Sequence, residues 1–219
     1  MTLTEDSASS IEMSVRTELT AGLGALGIDA QCAPPLLAYL AILLRWNCTY
    51  NLTAIKEPQA MVQRHLLDSL AIHPYLTADR LADLGSGAGF PGIPLAIANP
   101  ALQVDLIESN GKKVRFLREV IHRLGLTNVE VIQRRIEATV PPHRYPCLVA
   151  RALCALAPLV SLCSGLLRPS GQLLAMKGIY PTQEIAALPP SWSVAAVHPI
   201  AVPGLNEQRH LVVLTPPRS

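Results

Sequence analysis

Aromatic side chains are scarce, with two Trp, two Phe and five Tyr in 219 residues. That is too few to build a surface on which successive bases of a single strand stack. Charge is scarce too, at 16% against a hydrophobic fraction of 50%, a balance that buries a sizeable core and excludes disorder. The five cysteines (Cys32, Cys48, Cys147, Cys154, Cys163) are an odd number without a C-x-x-C pair. This excludes a small disulfide scaffold and argues against zinc, so free thiols and no metal are expected. The N-x-T sequons at Asn47 and Asn51 are then chance matches. The longest apolar run, Leu36 to Leu44, has nine residues, whereas a bilayer span needs roughly 20. The first ten residues, MTLTEDSASS, carry two acids and no Lys or Arg, the wrong charge for a secretory leader. The expectation is a soluble cytoplasmic protein without a membrane partner, one domain in size or one domain with an extension.

What charge there is falls unevenly. Residues 1–79 hold four Lys/Arg and eight Asp/Glu, while residues 80–219 hold fourteen and eight, a basic back half compatible with an anionic partner. The texture changes at the same place. Helical patterns cover Ile11 to Ile28, Leu36 to Trp46 behind Pro34-Pro35, and Glu57-Pro58 to about His73, with a loop at 47–55. Beyond Thr77, short apolar runs at 80–85, 104–109, 129–133, 147–152 and 172–178 alternate with candidate helices near 91–98, 110–124 and 155–167. That alternation predicts βαβ units and a parallel sheet covered on both faces. Two last strands, near 192–202 and 208–215, are too close for a parallel return and predict an antiparallel hairpin. The expected organisation is a helical extension over 1–78 and a doubly wound α/β domain over 79–219.

The sharpest local feature is DLGSGAGFPGIP, Asp83 to Pro94, a strand running into Gly85, Gly87, Gly89 and Gly92 before a helix. Glycines there let the chain turn tightly at the carboxyl edge where open sheets bind ligands. The dinucleotide fingerprint would need glycine where Phe90 stands, and the acid two residues ahead of Gly85 would repel a pyrophosphate while suiting an amino-acid moiety. Glu108 ends the second strand 23 residues after Gly85, where a carboxylate can take both ribose hydroxyls of an adenosine. The plain alternative is a first-turn acid ahead of Asn110. Glu108 suits a nicotinamide or a methionine-derived adenosyl cofactor equally; Asp83 and Phe90 favour S-adenosylmethionine.

In the helix from Asn110 to Leu124, Val114, Phe116, Leu117, Val120, Ile121 and Leu124 fill one arc, with Lys112, Arg115, Arg118 and Arg123 on the other. Residues 109–135 hold seven Lys/Arg, including Arg134-Arg135, and two acids. Either this is a solvated face or it contacts phosphates. The fourth strand ends on Arg151-Ala-Leu rather than the [DN]-P-P-[YF] usual in enzymes that methylate exocyclic amines. A ring nitrogen such as guanine N7 already exposes a lone pair, so transfer to it needs mainly alignment. Arg151 and Lys177, at two strand ends, are placed to hold a base and its phosphate, or else to pair with Asp83 or Glu108. Cys147 opens the fourth strand, some 13 Å from the ligand edge, and reads as a buried structural thiol. His65 and His73 read as core or capping groups, and Arg64, His65 and Asp68 share one helix face.

The segments RWNCTYNLTAI (45–55), RHLLDSL (64–70), DLGSGAGFPGIPLAI (83–97), ESNGKKVRFL (108–117), RALCAL (151–156), LLAMKG (173–178) and EQRHLVV (207–213) resemble, in order, the bacterial rRNA methyltransferase G family, also called glucose-inhibited division protein B. The resemblance covers roughly residues 30–215. It implies a class I S-adenosylmethionine-dependent methyltransferase fold and N7 methylation of one guanine in 16S rRNA. The implied partner is the small ribosomal subunit or its assembly intermediate, met by a monomer. By motif, the resemblance puts Gly85, Phe90, Glu108, Ile136, Glu137 and Arg151 around the cofactor, and Arg135, Arg151 and Lys177 in activity. Ser86 and Ala88 are mild departures, Cys154 and Cys163 carry no implied role, and the stretch before about residue 15 looks variable. Three competing readings remain: a small-molecule methyltransferase, a non-catalytic cofactor-binding assembly factor, and a nicotinamide oxidoreductase.

Overall fold

In the computed structural model, which describes residues 5–217 and side chains from Glu12 onward, seven strands form one sheet. They are β1 (Arg80–Leu84), β2 (Gln103–Ile107), β3 (Val129–Ile132), β4 (Tyr145–Arg151), β5 (Leu167–Lys177), β6 (Ser193–Pro199) and β7 (His210–Thr215). Their order is β3-β2-β1-β4-β5-β7-β6, with β1 to β5 mutually parallel and β7 antiparallel to both β5 and β6. The order reverses between β1 and β4, which opens a crevice at their carboxyl ends where such sheets take ligands.

Each face of the sheet has its own core. Alternate strand residues Leu81, Val104, Leu106, Cys147, Val149 and Leu174 face one apolar cluster. It is completed by α1 (Glu5–Ala25), α2 (Ala33–Tyr50), α3 (Pro58–Met61), α4 (Asp68–Leu70), α5 (Gly92–Ala98) and α6 (Gly111–Leu124). Ala82, Leu84, Leu148, Ala150, Leu173 and Ala175 face a second cluster under α7 (Leu156–Cys163). The period of two along each strand is what sends successive side chains to opposite layers. The amino-terminal helices therefore share a core with the sheet. Tyr39 of α2 donates its hydroxyl to the Ala88 carbonyl in the glycine loop and its ring lies 5.4 Å from Phe90. Trp46, two turns further on, meets Phe116 of α6 edge-on at 5.7 Å.

Local chemistry sets the ends of the elements. Asn110 caps α6 by accepting from the Lys112 and Lys113 N–H groups at 2.9 and 3.4 Å. Gly125, at φ 61°, closes it in the left-handed conformation. Four expectations need correcting. α2 continues to Tyr50, through residues expected in a loop, because its left-handed stop is Asn51 at φ 48°. The third helix is not one α-helix: a π-helical segment, Val62–Leu67, separates α3 from α4. α7 stops at Cys163, and β5 starts early, at Leu167. The short helix α8 (Thr182–Ala186) gave no sequence signal. The terminal hairpin is antiparallel as expected, with shorter strands joined over residues 200–209. Part of the stretch before residue 15 lies outside the described residues. Among these, no helix is long and apolar enough to cross a membrane.

Candidate active site

β1 delivers the glycine loop. Asp83 is fully buried, and its Oδ2 accepts the Gly92 N–H at 3.0 Å. Gly92 has to be glycine: a Cβ there would stand 2.4 Å from Leu106 Cδ2 and 2.9 Å from that carboxylate oxygen. Burial pushes the Asp83 carboxyl up to about 7, with the Gly92 N–H and the Arg151 charge pulling the other way. Its Oδ1 is buried without a partner among the described residues. Glu108, at the end of β2, is buried as well; it accepts the Gly87 N–H at 3.0 Å and the Asn110 N–H at 2.7 Å. Glu108 therefore steadies the glycine loop and the entry to α6, whose cap is Asn110 and whose first turn carries no acid. Gly87 sits at φ 62°, and a Cβ there would touch the Gly85 carbonyl at 3.8 Å and Lys113 Nζ at 4.0 Å.

β4 and β5 deliver the cations. Beyond Arg151, Ala152 takes φ 52°, a left-handed conformation that costs a non-glycine residue about 1–2 kcal/mol. Arg151 and Lys177 come together with Arg64, His65, Asp68, Met176, Arg209 and His210 around a cleft of about 430 Å³. Neither cation pairs with Asp83 or Glu108. Arg151 Nη1 donates to Asp68 Oδ2 at 2.8 Å and to the Arg64 carbonyl at 2.9 Å. The helical extension supplies these acceptors, which strand spacing alone could not reveal. Lys177 Nζ donates to Glu184 Oε2 at 2.7 Å and to the Cys154 carbonyl at 2.9 Å. Glu184 sits on α8, the helix that went unforeseen.

His65 is more than a core histidine, because its ring lines the cleft. It stacks on Phe90 at 4.5 Å, and Arg151 lies 5.1 Å above the same phenyl ring. Arg151 Nη2 is 3.1 Å from His65 Nδ1. The same Nδ1 lies 3.1 Å from the Arg64 carbonyl, and Nε2 is 2.7 Å from Thr53 Oγ1, so both ring nitrogens have polar partners. Burial, reinforced by the Arg151 charge, lowers the imidazole to about 4, so it is neutral at neutral pH. Asp68 completes the group by accepting from Arg209 Nε at 3.0 Å through Oδ1, and Glu207 pairs with both Arg64 and Arg209. Arg209 was visible in the EQRHLVV motif but had been given no role.

The other expected residues are not in the walls of this cleft. Phe90 is buried against His65 and Arg151. Ile136 is buried in a 3₁₀ turn, flanked by exposed Arg135 and Glu137, and the walls of the 430 Å³ cleft include none of the three. Beside the α6 cap lies an open hollow of about 570 Å³, lined by Asn110, Gly111, Lys112, Arg115 and Gln133. Cys147 is fully buried near the start of β4, its thiol pushed up to about 12 by burial, so it is no nucleophile.

Comparison with known proteins agrees with this geometry. The family described as rRNA small subunit methyltransferase G matches residues 33–212. A ribosomal RNA small subunit methyltransferase G from Stenotrophomonas maltophilia (strain K279a) is 58% identical over 204 residues, covering 93% of this chain and 96% of the relative. One from Xanthomonas axonopodis pv. citri (strain 306) is 58% identical over 200 residues, covering 91% and 94%. Among solved structures, the glycopeptide N-methyltransferase MtfA complexed with S-adenosyl-L-homocysteine overlays at a TM-score of 0.60 and 12% identity, over 70% of this chain and 87% of that one. A ribosomal protein L11 methylase from Lactobacillus delbrueckii subsp. bulgaricus overlays at 0.54 and 16%, over 75% and 89%. At such identities these structures speak to fold alone, that of class I methyltransferases. The sequence match over nearly the whole chain goes further: this protein belongs to the rRNA small subunit methyltransferase G family.

Proposed function

We propose that the protein transfers a methyl group from S-adenosylmethionine to N7 of a guanine in the 16S rRNA of the small ribosomal subunit or its assembly intermediate. Family membership supports the substrate class. The observation that carries the choice of atom is the state of the cleft's carboxylates. Asp68 and Glu207 are both engaged by arginines, so neither is free to act as a base. Methylation of an exocyclic amine releases a proton that such a base would take; N7 has a lone pair and no proton to lose.

The glycine loop fits the cofactor. Gly85, Gly87 and Gly89, all at positive φ, turn the loop at the carboxyl edge of the sheet, Asp83 Oδ1 is a buried acceptor in need of a donor, and Glu108 stands at the end of β2 for a ribose. When bound, the cofactor supplies a methyl group activated by a sulfonium. The chain's own contribution is alignment and charge. Arg151 and Lys177, held by Asp68 and Glu184, face the cleft and hold the guanine and its phosphate. Neutral His65 lies with Arg151 against Phe90 without adding a further positive charge. Gly85, Phe90, Glu108, Ile136, Glu137 and the cofactor edge of Arg151 serve the cofactor, and Arg135 adds a basic contact on the RNA side.

The helical extension over 1–78 walls the cleft of the catalytic domain over 79–219. The protein works as a monomer in the cytoplasm, where its substrate is assembled. Transfer of labelled methyl to small subunits lacking the modification tests the reading. Incorporation that needs both cofactor and active enzyme is expected; none, with the cofactor demonstrably bound, would overturn it.

A further inference from the structure

At the rim of the cleft the chain does something unusual for a protein with so few aromatics. β5 ends on Lys177, Gly178 follows, and Ile179 and Tyr180 then project outward, 76% and 51% exposed. Among the described aromatic residues the exposed ones are Tyr50 and Tyr180, and Tyr50 packs on Trp46 at 5.2 Å. Tyr180 is held in place. The His210 Nδ1–H donates to the Gly178 carbonyl at 2.8 Å, and the Tyr180 ring meets the His210 ring at 5.6 Å and 87°. The Thr182 N–H returns to the Tyr180 carbonyl at 3.1 Å. His210, Lys177 and Gly178 all line the cleft, so the Tyr180 ring stands one side chain away from it. The edge-on contact with His210 leaves the faces of the phenol ring to a further partner.

We infer that Ile179 and Tyr180 are the platform on which the acceptor RNA lays the base next to the target guanine, with Tyr180 stacking on it. The inference rests on the RNA reading above. An enzyme that acts on a base within folded RNA takes that base out of its stack, leaving a neighbour without a partner. An aromatic face beside the pocket replaces what the neighbour loses, and any base can use it because every base has a π-face. Charge complementarity singles out RNA as the occupant. The exposed pair follows Lys177 and Gly178 in the chain, at the rim of a cleft that Lys177, Arg151, Arg64 and Arg209 line, cations that suit phosphates on either side of a splayed nucleotide. An apolar partner would gain only two side chains there.

The test is steady-state methyl transfer to small subunits lacking the modification, with Tyr180→Ala, Tyr180→Phe and Tyr50→Ala beside the parent. Protein-free 16S rRNA binding and cofactor binding are measured on all four. Tyr180→Ala should lose about tenfold in RNA affinity and in kcat/KM for the subunit, with cofactor binding unchanged. Tyr180→Phe should stay within about twofold of the parent, since the ring and not the hydroxyl stacks, and Tyr50→Ala should behave as the parent does. A Tyr180→Ala variant equal to the parent would overturn the platform while leaving the methyltransferase reading intact. So would Tyr180→Phe failing as badly as Tyr180→Ala, or a loss on subunits without any loss in RNA binding, which would put a ribosomal protein against the ring. A parent that methylates no RNA would overturn the reading beneath the platform.

Discussion

One carboxylate, Asp68, holds two arginines at once: Oδ2 accepts from Arg151 Nη1 at 2.8 Å and Oδ1 from Arg209 Nε at 3.0 Å. Asp68 belongs to the amino-terminal helices, Arg151 to the end of β4, and Arg209 to the approach to β7. Three distant stretches of chain therefore meet at a single buried anion beside the cleft.

Removing Arg151 should stop chemistry without undoing the fold, because Asp68 keeps Arg209 as a partner. Arg151→Ala is expected to lower turnover by roughly 100-fold or more, with the protein still folded. Asp68→Asn keeps the shape but weakens both pairs, so it should lose activity and about 1–3 kcal/mol of stability. Turnover and denaturant melts on the same preparations check both. A fully active Arg151→Ala would remove Arg151 from the site.

His65 should make the protein sensitive to acid. Its folded value is near 4 against about 6.5 unfolded. Stability attached to the neutral ring is thus complete above pH 6.5 and is lost as pH falls toward 4. His65→Gln, which cannot take up that proton, should show a smaller fall in unfolding free energy over this window. Equal falls in parent and variant would show that the imidazole is not the group responsible.

Asp83 has the opposite sign. Its carboxyl is raised to about 7 from about 3.9 in an unfolded chain. Its contribution is therefore intact below pH 4 and lost as pH rises toward 7, because the unfolded state ionises first. Asp83→Asn should flatten that decline, as read by urea unfolding between pH 5 and 8. A variant that declines as steeply as the parent would be evidence against a buried neutral carboxyl.

The exposed cations of α6 should act through salt. Lys112 and Arg115 line the open hollow beside the helix cap, and each phosphate they neutralise adds roughly 0.7–0.9 to the slope of log affinity against log salt. Lys112→Glu with Arg115→Glu should weaken RNA binding and flatten the slope by about that amount per contact. An unchanged slope would make this face merely solvated.

The sheet was legible because burial on both faces writes itself as apolar runs, and the glycine loop because Gly87 and Gly92 meet backbone demands that other residues cannot. The face of α6 was legible for the same kind of reason: Val114, Phe116, Leu117 and Val120 are buried, whereas Lys112, Arg115, Arg118 and Arg123 are exposed. The pairing of the site was not legible. Arg151 meets Asp68 across 83 positions of chain, and no local pattern encodes which acid a strand-end arginine will find. His65 sits in an apolar helix and reads as core until the π-helical segment is seen to bring it against Phe90. Glu184 lies in a helix of five residues, too short to leave a period.

The most direct measurement is the identity of the methylated nucleoside after transfer to unmodified small subunits, read by nuclease digestion and mass. With no free carboxylate in the cleft and a lone pair as the acceptor, all of the label should be recovered as 7-methylguanosine, and Arg151→Ala should give none. Label in an exocyclic amine, such as N2-methylguanosine, or in 5-methylcytidine would contradict the assignment.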